Sequence, residues 1–244
     1  MVEGSPMSRL VKVYDYILNH PRTRRGYWGE WYFSERYDKV LNTVVEYYPN
    51  LRSVLEIGCG KGFYASLLQK LRPNCSYFGL DLDKITLKEA FKNISTNYAV
   101  CDAAWLPVRD YSADLVLCSE VLEHLNAPYE VLSSLPKISR MGVIITFPVE
   151  HLSMKLRTMH PEHSICLEWR AVVTKLVQEG MTILRSEEIA RFFLPCGIVE
   201  FLPIPKNKLT ESLMIFMNTV LKKMVPLTLV PNQVILIVAS KKKK

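Results

Sequence analysis

The chain has 244 residues, 49% of them hydrophobic and 23% charged, the balance of an ordinary soluble globular protein. This length allows one α/β domain with a full core and a lid, and excludes two large domains. Net charge is +7, but four of the positive charges are the run Lys241 to Lys244, read as a solvated basic tail, so basicity alone is weak support for a nucleic-acid partner.

Residues 1–50 precede the first predicted strand. Val40, Leu41, Val44, Val45 and Tyr48 share one helical face, and Pro49-Asn50 is a stop signal. Upstream, Tyr27, Trp28, Trp31, Tyr32, Phe33 and Tyr37 are mixed with Arg22, Arg24, Arg25 and Arg36. This stretch is either a flap over a cofactor, since aromatic faces attract cations, or an amphipathic helix packed on a sheet edge. Base stacking on a nucleic acid is a third reading.

The organising stretch is Val54 to Gly62, V-L-E-I-G-C-G-K-G. Val54, Leu55 and Ile57 form the apolar run of a buried parallel strand. Gly58, Gly60 and Gly62 follow at alternate positions, as a loop that backbone and ligand share closely would need. Phe63, Leu67, Leu68 and Leu71 then recur at helical spacing. Gly60 to Ala65 also fits the dinucleotide pattern G-x-G-x-x-A, but Glu56 would repel a pyrophosphate and suits an ammonium or sulfonium. The stretch resembles motif I of the class I S-adenosylmethionine (SAM) methyltransferases, [VIL]-L-[DE]-[IVL]-G-x-G-x-G, at every position. That resemblance implies a Rossmann-like, doubly wound α/β sheet of seven strands, six parallel with strand seven inserted antiparallel, spanning residues 51–240.

Ser76 to Leu82 reads as the second strand. Asp81 lies about 20 positions past the glycine loop, where doubly wound folds place a ribose-hydroxyl acceptor. Asp83 competes for that role but reads better as the N-cap of a helix over Lys84 to Phe91. In the family, the residue after the acid, here Leu82, packs on adenine. A third strand around Tyr98 to Cys101 ends in Asp102-Ala103, which match the family's acid and backbone amide for the adenine edge. The fourth strand, Asp114 to Cys118, leads into Ser119. The cofactor set implied is Glu56, Gly58, Cys59, Gly60, Gly62, Asp81, Leu82, Asp102, Ala103 and Ser119.

After that strand comes S-E-V-L-E-H-L, similar to motif IV of quinone-biosynthesis methyltransferases. On a helical turn Glu120, Glu123 and His124 would share a face. With His163 from H-P-E-H-S-I-C-L-E-W, they would form an oxygen-rich set suited to Mg²⁺. Small-RNA 2′-O-methyltransferases use such a set. The same motif also occurs in relatives thought to bind no metal, and then His124 or His163 is the candidate catalytic base.

Met141 to Phe147 is the fifth strand, ended by Pro148. Trp169 to Glu179 reads as a helix, Met181 onward as strand six and Asn232 to Ala239 as strand seven. Between the last two, residues 192–231 are rich in Met, Phe, Leu and Pro, with Leu209, Leu213, Phe216, Met217, Val220 and Leu221 at helical spacing. This insert is expected to shape an apolar acceptor pocket, with peripheral membrane contact as a further reading. The six cysteines (59, 75, 101, 118, 166, 196) contain no C-x-x-C pair, so neither disulfides nor zinc are indicated and a cytoplasmic location is expected. No apolar run reaches the roughly 18 residues of a membrane span. Three functions follow: a SAM-dependent methyltransferase acting on O or C of a small or lipid-like acceptor, an RNA 2′-O-methyltransferase, or a silent binding module keeping the fold. The acceptor and the oligomeric state are not fixed by the sequence.

Overall fold

The computed structural model of this chain describes residues 29–149, 165–192 and 232–241. Helix α1 (Gly29–Tyr47) precedes β1 (Ser53–Ile57), α2 (Phe63–Leu71), β2 (Ser76–Asp81), α3 (Lys84–Asn93) and β3 (Asn97–Val100). Then come β4 (Ala113–Ser119), α4 (Pro128–Ile138), β5 (Ser139–Val149), α5 (Trp169–Gln178), β6 (Met181–Phe192) and β7 (Asn232–Lys241). The strands form one sheet in the order β3-β2-β1-β4-β5-β7-β6. Pairs among β1 to β5 are parallel, while β7 runs antiparallel to both β5 and β6. The chain order reverses between β1 and β4, and ligands of open α/β sheets bind beyond the carboxyl ends of the strands at such a reversal.

Period-2 alternation divides the core into two layers. Leu115 and Leu117 of β4 face Val40, Leu41, Val44, Leu67 and Leu68 from α1 and α2. Val116 and Cys118 face the opposite way, onto Val131, Leu132 and Leu135 of α4 and Val172 and Leu176 of α5. The carboxyl half of α1 is thus a packed layer of the domain: Val40, Leu41, Val44 and Tyr48 are all buried. The Tyr48 hydroxyl donates to the Ala239 carbonyl at 3.0 Å.

Three differences from the sequence reading bear on the fold. Strand β5 runs through Pro148 to Val149, because β4 ends its pairing at Thr146 and only β7 continues alongside. A proline without its N–H is tolerated where one edge is open. Lys241 is the last residue of β7 rather than part of a tail, with its ammonium 3.9 Å from the Tyr111 ring centroid. Helix α4 was not apparent at all. It starts on Pro128 and carries Pro136 inside.

Candidate functional site

Gly58, Gly60 and Gly62 all take left-handed φ angles of 69°, 52° and 74°. A Cβ on Gly58 would run into the Val121 side chain, whereas one on Gly60 would meet open space. Gly58 therefore packs the loop against the segment after β4, whereas the side-chain direction at Gly60 meets no described residue. The Asp81 carboxylate fixes this arrangement, accepting from the Gly60 N–H at 2.7 Å through Oδ2 and from the Asp83 N–H at 2.9 Å through Oδ1. A carboxylate has about four lone-pair sites, so Asp81 retains acceptor capacity. Asp83 instead caps α3, accepting from the Ile85 N–H at 2.8 Å and from the Thr86 hydroxyl. The Thr86 bond, then that of Ile85, lowers its carboxyl below the usual range.

Beside the loop is a cleft of about 260 Å³ lined by Gly58, Asp81, Leu82, Asp102, Ala103, Glu120 and His124, among others. Leu82 is 68% exposed at its lip. Asp102 accepts from the Ala104 N–H at 2.8 Å, capping a short 3₁₀ turn, Ala103–Trp105. Two of the expected cofactor residues turn their side chains away. The Cys59 thiol is buried, its pKa pushed up by burial and then by Glu56 and Asp81. Ser119 is also buried, with its hydroxyl 2.8 Å from Thr146 Oγ1 and 3.3 Å from Tyr64 Oη.

Glu56 shares the strand face of Val54, and its side chain is buried with the Tyr77 hydroxyl donating to it. Burial, and then the Asp81 charge, push its carboxyl well above the ordinary range, while Arg36 of α1 pulls it partly back. A cation arriving beside Glu56 would favour its ionised form. Arg36 is itself buried, 3.1 Å from Glu120 Oε2. Its neighbour Tyr37 stacks edge-on against Tyr64, with ring centroids 4.6 Å apart.

The segment after β4 does not form the helical turn on which the metal reading rests. Glu120 has φ 56°, and only Leu122–His124 winds, as a 3₁₀ turn. Three residues per turn and the left-handed kink break the i, i+3, i+4 face that an α-turn would give. Glu120 pairs with Arg36, Glu123 is buried, and the His124 Nε2 lies 4.0 Å from Glu123 Oε1. Among the described residues no group of three or more His, Cys, Asp or Glu could hold a metal. His163 and the 193–231 part of the apolar insert lie outside the described residues, so only His124 of the two candidate bases is placed, at the cleft wall with its side chain 38% exposed. Tyr64, Tyr77 and Thr146 were not picked out from sequence. One signal was available for Thr146: it and Ser119 are polar residues in apolar strands, and they pair in register.

Residues 55–147 match a family described as a methyltransferase domain, Methyltransf_11. A ubiquinone biosynthesis O-methyltransferase from Thiobacillus denitrificans is 28% identical over 157 residues, covering 60% of this chain and 64% of that protein. Both matches are to methyltransferases. The domain match opens inside β1 and closes in β5, so it contains the glycine loop, Asp81, Asp102 and the segment after β4, whereas α1, β6 and β7 complete the fold outside it. A SAM-dependent methyltransferase from Archaeoglobus fulgidus shares the fold with a TM-score of 0.58 at 22% identity, covering 83% of this chain and 92% of that one. So does magnesium protoporphyrin IX methyltransferase from Synechocystis PCC 6803 with bound SAM, at TM-score 0.58, 16% identity and coverage of 96% and 97%. The chain spans under two thirds of the Thiobacillus protein's length. Among the described residues, no helix is long and apolar enough to cross a membrane.

Proposed function

We propose that this chain is a SAM-dependent methyltransferase that moves a methyl group to an oxygen or carbon atom of a small, apolar acceptor. The observation that carries this reading is the Asp81 carboxylate clamped to the Gly60 N–H at 2.7 Å, next to the buried Glu56 on the same sheet face. Two acids around a glycine loop suit a cationic nucleoside and oppose a pyrophosphate. The cofactor would supply a methyl group activated on a sulfonium. Glu56 would complement the ammonium end, Asp81 the ribose hydroxyls and Asp102 the adenine amine, with the Ala103 N–H on a ring nitrogen. Leu82, exposed at the lip, would cover the base. The backbone of Cys59 and Ser119 would line the amino-acid end, since their side chains are spent on the core.

His124 at the cleft wall is the candidate base for an acceptor hydroxyl, with His163 the other. Much of the rate would come from aligning acceptor atom, methyl carbon and sulfur. The apolar character of the acceptor rests on the composition of residues 192–231 and on the relative named for ubiquinone biosynthesis. Calorimetry with SAM, followed by labelled-methyl transfer into fractionated cell extract, tests the proposal. Saturable binding with label in the organic-soluble fraction is expected. Binding with label in RNA would replace the acceptor class, and absence of SAM binding would leave a scaffold role in its place.

A further inference from the structure

Glu120 stands where a long L-residue is disfavoured. Its φ of 56° lies in the left-handed region, which needs the surroundings to impose it. Three contacts do so. Its N–H donates to the Thr146 carbonyl at 2.9 Å, its Oε1 accepts from the Thr146 hydroxyl at 3.1 Å, and its Oε2 meets Arg36 at 3.1 Å. The first two come from β5, adjacent to β4 in the sheet. The third comes from α1, more than 80 positions earlier in the chain.

The chain of contacts continues inward. Thr146 Oγ1 is 2.8 Å from Ser119 Oγ, which is 3.3 Å from Tyr64 Oη at the start of α2. Tyr37 holds that same helix start, edge-on to Tyr64 and 5.8 Å from the Phe63 ring. Successive residues of α1 therefore hold two neighbouring segments: Tyr37 the helix after the glycine loop, Arg36 the segment that carries His124. The Arg36 and Glu120 side chains are only 8% and 19% exposed, so solvent screens this pair less than a surface pair.

We infer that Arg36 is a positioning residue, which through Glu120 holds the Glu120–Leu125 segment, and with it His124, against the glycine loop. Arg36 does not line the cleft; Glu120 and His124 do. What the segment is positioned for rests on the methyltransferase reading above. A guanidinium suits the task because its planar fork holds a carboxylate in one orientation, where an ammonium would act as a point charge.

The test uses the full chain and amide hydrogen exchange, read at Glu120, His124 and Leu125, whose N–H groups bond to Thr146, Val121 and Leu122 carbonyls. Arg36→Gln should speed exchange at these three at least tenfold while β1 and β4 amides keep their rates. Arg36→Lys should recover part of the protection, and the charge swap Arg36→Glu with Glu120→Arg more than either single reversal. Unchanged exchange in Arg36→Gln, equal loss across the whole sheet, or failure of both rescues would overturn the inference. Should Arg36→Gln not fold, Glu120→Gln serves instead. It removes the charge pair and keeps an acceptor for Thr146, and a segment as protected as in the parent would be equally fatal. In the loaded protein, Arg36→Gln should cut labelled-methyl transfer from SAM into cell extract at least tenfold, and by more than it weakens S-adenosylhomocysteine binding, which Arg36 also touches through the charge it places near Glu56. A loss of affinity matching the loss of transfer would show that Arg36 serves cofactor binding instead. If the unmodified chain binds no S-adenosylhomocysteine, the methyltransferase reading fails while the exchange result still decides the role of Arg36.

Discussion

Replacing Glu56 with Gln should strengthen the fold and weaken cofactor binding at once. The carboxyl is buried, hydrogen-bonded by Tyr77, and held above its ordinary pKa first by burial and then by Asp81. A folded-state pKa above the unfolded value of about 4.3 means the folded protein binds the proton more tightly. That contribution is complete at pH below the unfolded value and is lost as pH climbs through the raised one. Gln cannot ionise and its amide oxygen still accepts from Tyr77, so the ligand-free variant should melt higher at neutral pH. Binding should go the other way. A charge-assisted contact to an ammonium is worth roughly 1.5–3 kcal/mol, so Kd for SAM should rise about 10- to 150-fold. The parent's affinity should itself increase with pH over the same window, because a cation binds the ionised form, and binding should release a proton. Calorimetry in two buffers of different ionisation enthalpy measures that proton, and differential scanning calorimetry gives the melting shift. A variant with parental affinity and the same pH dependence would refute the role given to Glu56.

Other substitutions separate neighbouring residues of the site. Asp81→Ala frees the Gly60 N–H and should weaken SAM binding at least tenfold, whereas Asp83→Ala should cost about 1 kcal/mol of stability through the lost cap and leave affinity near the parent's; equal losses of affinity by calorimetry would contradict this. Gly58→Ala combines a left-handed φ with a collision at Val121, so it should destabilise by about 1–3 kcal/mol in urea unfolding and reduce binding, while Gly60→Ala, facing open space, should cost about 1 kcal/mol. At the opposite end of the sheet, Asp114 accepts from the Arg52 and Ser53 N–H groups and from Arg140 Nε at 2.7 Å. Burial works against its ionisation, but these bonds outweigh it and leave its carboxyl below the usual range. Asp114→Asn should therefore lose about 1.5–3 kcal/mol at neutral pH. The difference from the parent should vanish as pH falls through the depressed value; a constant difference would refute the linkage.

The sheet was legible because its strands are local apolar runs and its loop residues obey fixed spacing. Helix α4 was not, although Val131, Leu132, Leu135 and Ile138 are buried at helical spacing. Prolines ordinarily interrupt helices, and this one carries two, Pro128 at the first helical position, where its missing N–H costs nothing, and Pro136 inside. The site divides in the same way. Asp81, Leu82, Asp102 and the glycines belong to strand ends, and strand ends can be counted from sequence.

The acidic segment after β4 could not be read, because its conformation is decided elsewhere. E-V-L-E-H on an isolated helical turn would bring two carboxylates and an imidazole together. In the folded chain the first carboxylate is claimed by Arg36 and Thr146, and the backbone takes the left-handed turn those contacts require. The partner of Glu120 lies on α1, outside the methyltransferase match at 55–147. The angle at which α1 crosses the sheet is set by Val40, Leu41, Val44 and Tyr48 packing into the core. A pattern confined to strand ends and the glycine loop is therefore legible by itself. The conformation of the Glu120–Leu125 segment is not, because it depends on how an upstream helix packs as well as on its own spacing.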